Sequence, residues 1–207
     1  MQKRVIFVLL LLLFSLFLHS CASGGDRGLS APQKEALEEW LGAAAIEGAA
    51  VQVLELPESA AEKFPAVKRA FRISAESGEY YAFAASPLGY KDAVNLLVAI
   101  DGYNEEILGI KVLQHNESPE YADYITRDWF IDRFAGKNVG QYLKRVVLET
   151  DNESDIIQVT GATVSSQAVI NGVNAAMGVY RELVKEQEAP AVPLYVEGFV
   201  TEIKADR

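Results

Sequence analysis

The chain has 207 residues, with 19 Lys and Arg against 29 Asp and Glu, two His and one Cys, for a formal charge of −10. So acidic a surface is repelled by nucleic-acid phosphates, and nucleic acid is not an expected partner. One Cys permits no intrachain disulfide, and no Cys cluster, His pair or haem-attachment word is present, so no metal site and no Fe–S or haem centre is expected.

The first residues, Met1-Gln2-Lys3-Arg4, are a short basic start, and 5–18 are apolar except for Ser15. A membrane-spanning helix needs about 20 apolar residues, so this run reads as an export signal rather than a permanent anchor. Leu18-His19-Ser20-Cys21 follows, close to a bacterial lipoprotein processing site. That assigns 1–20 to the signal peptide and makes Cys21 the lipid-modified first residue; the other reading is an incidental thiol behind an ordinary signal. Removing 1–20 takes Lys3 and Arg4 but no acid, leaving 17 basic against 29 acidic residues, or −12. Anionic headgroups repel such a chain, so attachment to the membrane depends on the acyl chains. Residues 21–29 are a spacer.

Ser30-Ala31-Pro32-Gln33 reads as a capping box with proline near a helix start, the helix running to about Leu41 and stopping at Gly42. The stretch 44–65 is rich in Ala and Glu and weakly patterned, with a short strand at 51–56. Strands at 70–75 and 79–86 form a hairpin around Ser77-Gly78, and 94–100 and 107–114 form a second through Asp101-Gly102. Residues 121–134 predict a helix ended by Gly136, with Tyr121, Ile125, Trp129 or Phe130, and Phe134 as core aromatic and aliphatic contacts. A short strand at 156–159 precedes a helix at 167–185, whose Val169, Ile170, Val173, Ala176, Met177, Tyr180, Leu183 and Val184 make one buried stripe. Ser165 or Ser166 is its expected N-cap, which puts Thr163 just outside the positive end. Pro190 and Pro193 then break the chain, and 194–203 predict a final strand in a C-terminal extension, 189–207. The class is α+β: an antiparallel sheet with packed helices in a single domain, 30–188.

Between the last strand and helix stands Thr160-Gly161-Ala162-Thr163, a hydroxyl flanked by small residues where backbone N–H groups face an anion. Alone, these four residues fit an ordinary capping loop. Residues 155–177, however, resemble the flavin-attachment segment of the FMN-binding domain family. Upstream, Gly89-Tyr90, 94–102, 107–113 and Gln114-His115-Asn116-Glu117-Ser118-Pro119 are similar to that family's central region in order and spacing, and the best match covers 70–185. The resemblance implies FMN joined to Thr163 by a phosphoester bond, with Thr160, Gly161, Ala162, Ser165, His115, Glu117 and Ser118 around the cofactor. The chain departs from the family pattern in two places: Ile157 stands where many members carry an acid, and Glu120 and Tyr121 follow Pro119 where glycines are usual.

No His, Lys or Asp stands within the motif to activate the Thr163 hydroxyl, so Thr163 does not modify itself. By the resemblance, a magnesium-dependent flavin transferase takes FMN from FAD and leaves it there. The whole then implies an extracytoplasmic, lipid-anchored flavoprotein relaying electrons between a membrane redox donor and an extracytoplasmic acceptor, with no catalytic residues of its own. Two other readings are a flavin-dependent reductase component acting on a small substrate with a partner chain, and a binding or assembly lipoprotein without flavin. The chain has no Gly-x-Gly-x-x-Gly nicotinamide fingerprint, so in the reductase reading electrons come from elsewhere.

Overall fold

The computed structural model describes residues 28–120, 122–149 and 151–198. The signal 1–20, Cys21, most of the 21–29 spacer, Tyr121 and 199–207 lie outside the described residues. Helix α1, Ala31–Leu41, begins where the sequence places it: Gln33 Oε1 accepts the Ser30 N–H at 2.9 Å, and Gly42, at φ +87°, ends it. The weakly patterned stretch holds α2 (Ala43–Glu47), β1 (Ala50–Leu54) and α3 (Glu58–Lys63). The two short helices leave no signal in the sequence because each buries a single residue, Ile46 or Ala60, which gives no period to detect.

Strands β2 (Val67–Ala75), β3 (Gly78–Ala85), β4 (Asn95–Asp101) and β5 (Glu106–Gln114) follow as the two expected hairpins. With β1 they form an antiparallel meander in the order β1-β2-β3-β4-β5. Both faces are covered. Phe71, Ile73, Ala82, Leu97 and Ala99 pack with Ala36, Leu37 and Ile46 on one side; Ala70, Tyr81, Phe83, Leu96, Val98 and Ile100 face the main core on the other. That is why 96–100 is an unbroken apolar run rather than an alternating one.

The helix expected at 121–134 is broken. A 3₁₀ turn, Ala122–Thr126, closes when the Thr126 hydroxyl donates to the Asp123 carbonyl at 2.7 Å; Arg127 is extended (ψ +141°), and α4 is a single turn, Asp128–Ile131. In a continuous helix Ile125 and Trp129 would share a face. The extended residue shifts the phase by one, so Ile125, Phe130 and Phe134 are buried while Trp129 is 48 % exposed.

Strand β6, Lys144–Val146, pairs in parallel with β7, Asp155–Ile157; the sequence signalled only the second. Helix α5, Thr163–Leu183, then runs through the core. It buries nearly every residue from 164 to 180, not one stripe, because the sheet, the 3₁₀ turn and β6 all pack on it. Asn174 secures one of those contacts: its amide accepts the Leu143 N–H and donates to the Leu143 carbonyl, both at 2.9 Å. At Gly178 a Cβ would lie 2.3 Å from the Phe64 ring and 2.6 Å from the Tyr142 hydroxyl, so only glycine lets these neighbours approach.

After α5 the chain reverses through Glu186, at φ +53°. The strand expected from 194 does not form within 194–198, where the chain is bent and turned rather than paired along a sheet edge. These residues form a strap instead. Val192 donates to the Lys63 carbonyl at 2.9 Å, the Leu194 carbonyl accepts the Leu88 N–H at 2.8 Å, and Val196 packs on Val164 and Ala168 in the opening turns of α5.

Candidate functional site

The motif is the connection between β7 and α5. Gly161, at φ +81°, makes the turn, a backbone conformation that side-chain-bearing residues adopt at a cost. The N-cap is Ala162, not Ser165 or Ser166, so Thr163 is the first residue of the helix rather than a residue outside it. The serines are used otherwise. Ser166 Oγ accepts the Val159 N–H at 2.9 Å, tying the incoming strand to the helix, and Ser165 Oγ donates to the Glu117 carboxylate. Ala162 carries no side-chain acceptor, so the first-turn N–H groups of 163–165 have no side-chain cap. Thr163 is partly exposed, and Thr160 and Gly161 are exposed.

Glu117 is the centre of the upstream segment. Only 6 % of it is exposed, and its carboxylate accepts N–H groups from Tyr90 (3.0 Å), Lys91 (2.9 Å) and Asp92 (3.4 Å) besides the Ser165 hydroxyl. Four donors compensate the burial of the charge and fasten the 89–92 loop to the first turn of α5. Gly89 is required there: a Cβ would stand 2.7 Å from Glu117 Oε1. His115 Nδ1 accepts the Glu117 N–H at 3.3 Å, which in the neutral ring places the proton on Nε2. Ser118 follows, partly buried. The fold therefore gathers His115, Glu117, Ser165 and the motif at one end of α5, with Glu117 and Ser165 joined across 48 positions.

On the other side of the motif, Ile157 is partly buried and its carbonyl accepts Arg133 Nη1 at 3.5 Å. A groove of about 540 Å³ opens beside it, lined by Arg133, Lys137, Val146, Glu149 and Asp155 among others. Tyr124 and Trp129, 45 % and 48 % exposed, lie tilted against each other nearby with ring centroids 6.5 Å apart, and Arg133 covers the Trp129 ring at 5.4 Å. Of the aromatics expected in the core, Phe130 and Phe134 are there and Trp129 is not.

Two residues of this region carry no functional signal in the sequence. Asn174 was detectable only as a polar residue on an apolar helix. Arg145 projects from β6 on the side of its register partner Ile156; its Nε donates to Gln167 Oε1 at 3.0 Å and its Nη1 to Gln158 Oε1.

The β7–α5 connection and the 89–92 loop both lie within residues 89–178, which match the model of the FMN-binding domain family. The G subunit of the ion-translocating oxidoreductase complex of Salmonella typhi is 39 % identical over 108 residues, covering 50 % of each chain, and that of Escherichia coli K12 is 36 % identical over 107 residues with the same coverage. The chain thus spans about half the length of the curated relatives it matches. In fold it resembles the C subunit of the Na⁺-translocating NADH-quinone reductase from Parabacteroides distasonis, with TM-score 0.52 and 15 % identity, covering 70 % of this chain and 81 % of the other. Among the described residues no helix is long and apolar enough to cross a membrane.

Proposed function

We propose that this chain is an extracytoplasmic, lipid-anchored flavoprotein that relays electrons through FMN joined to Thr163 by a phosphoester bond, taking them from a membrane donor and passing them to an extracytoplasmic acceptor. The observation that carries this reading is the position of Thr163: the first residue of a 21-residue helix, within the family match, behind an N-cap with no side-chain acceptor. A phosphate ester at that hydroxyl meets the N–H groups of 163–165 and the positive end of the helix, an interaction of roughly 0.3–1 kcal/mol in an exposed setting.

The residues present fit the group. Gly161 and Ala162 leave room for a bulky substituent, Thr163 is partly exposed, and the Glu117 staple holds the 89–92 loop and His115 beside the helix start. When bound, FMN supplies the one- and two-electron chemistry; the chain holds and orients it. Attachment requires a transferase: the Thr163 Oγ1–P bond forms as the FAD pyrophosphate bond breaks and AMP leaves, with magnesium serving that enzyme. The export signal gives the covalent bond its use, because outside the cytoplasm a dissociated cofactor is not replaced. The Salmonella typhi relative is by name part of an ion-translocating oxidoreductase complex, which supports redox partners in a membrane.

Co-expression of the full chain with a flavin transferase tests the reading by mass. The expected product is heavier by FMN less one water, with the added mass on the tryptic peptide 146–181, which contains Thr163. An unmodified peptide, or a modification elsewhere, overturns it.

A further inference from the structure

We infer that Arg145 is the counter-charge of the flavin phosphate, a positioning residue stationed on the face of α5 that carries Thr163; this rests on the Thr163 attachment proposed above. Gln167 lies four residues after Thr163 on the same helix, so the two share a face, and a helical side chain leans toward the N-terminus. Gln167 Oε1 receives Arg145 Nε at 3.0 Å, and Gln158, two residues before the motif, receives Nη1. The guanidinium is therefore suspended between the residues that enter the motif and the turn that follows it.

The amide of Gln167 is itself fixed: its nitrogen donates to Asn171 Oδ1 at 2.9 Å, which turns its oxygen toward Arg145. Both acceptors of Arg145 are neutral amides, and no carboxylate lies within ion-pair distance among the described residues. Arg133 and Arg181 are likewise partly buried without an ion pair, but they are held by backbone carbonyls, whereas Arg145 is held by two side chains that flank the motif. Guanidinium N–H groups are suited to phosphate oxygens, and the planar fork has five of them to share. The fixed fork places a positive charge on the helix face that carries the one threonine where the proposed chemistry deposits a negative one.

The test compares wild type, Arg145→Gln and Arg145→Lys, each as full chain with and without flavin transferase, reading thermal unfolding at low and high salt. Attached flavin should raise the wild-type transition, and salt should shrink the increment. In Arg145→Gln the increment should fall to about half or less and its salt dependence should weaken to what the helix N-terminus alone supplies, while Arg145→Lys should restore the wild-type salt dependence. A purely structural arginine would lower the transition equally with and without flavin, and equal increments in wild type and Arg145→Gln overturn the inference alone. Wild type that takes up no flavin overturns the Thr163 reading and this one with it. If Arg145→Gln does not fold, Arg145→Lys and the salt dependence of the wild-type increment decide, and the absence of that dependence contradicts the inference.

Discussion

Glu117 shows how far a residue's role can shift between sequence and structure. The sequence marks it by resemblance as a neighbour of the flavin; in the fold its carboxylate is occupied by three backbone N–H groups and the Ser165 hydroxyl, so its first task is to hold the 89–92 loop. Glu117→Gln keeps the shape but removes the charge from four hydrogen bonds, and we expect a loss of about 1–3 kcal/mol in urea unfolding. Tyr180 makes the opposite case. It is fully buried, its hydroxyl has no partner among the described residues, and burial, with Glu105 the next contributor, pushes it up to about 12. An unfolded tyrosine releases its proton near 10, so the stability tied to Tyr180 is complete below that pH and is lost as pH rises toward 12. Tyr180→Phe should flatten the alkaline fall in stability and leave the protein at least as stable at neutral pH, as read by denaturation at a series of pH values.

At the scale of elements, the two hairpins and the long helix were legible because their signals are local: two turn words join the hairpins, and an apolar period marks α5, whereas three-residue β6 left no signal. The break between the 3₁₀ turn and α4 was not legible, since Ile125, Trp129 and Phe134 satisfy a helical period that the extended Arg127 cancels. The N-cap was misplaced for a similar reason. Two serines at a helix start invite a capping role, yet Ser166 is engaged across the motif turn with the Val159 N–H, and Ser165 with Glu117, a partner 48 positions away that only the tertiary fold supplies. The near-complete burial of α5 depends on its glycines, and Gly178→Ala tests this directly. The added methyl meets Phe64 and Tyr142, and overpacking of this kind should cost about 1–3 kcal/mol, visible as a lower transition temperature.

For the molecule as a whole, nothing in the sequence places the C-terminal extension near the motif, because prolines and a weak apolar pattern do not encode direction. The strap runs back along α5, a helix of 21 residues and so about 31 Å long, and sets Val196 against Val164, the residue after Thr163. Val196→Asp should therefore lower stability by burying a charge without a partner, with the loss checked by thermal unfolding, while leaving Thr163 itself in place. The proposed function joins the acidic composition, the expected export signal and the motif in one object, a domain held at a membrane by lipid at Cys21 and carrying its cofactor covalently. The most direct measurement of that proposal is flavin fluorescence on a denaturing gel after co-expression with a flavin transferase. A fluorescent band for the wild-type chain and none for Thr163→Val is the predicted result; a fluorescent Thr163→Val band, or a dark wild-type one, would contradict it.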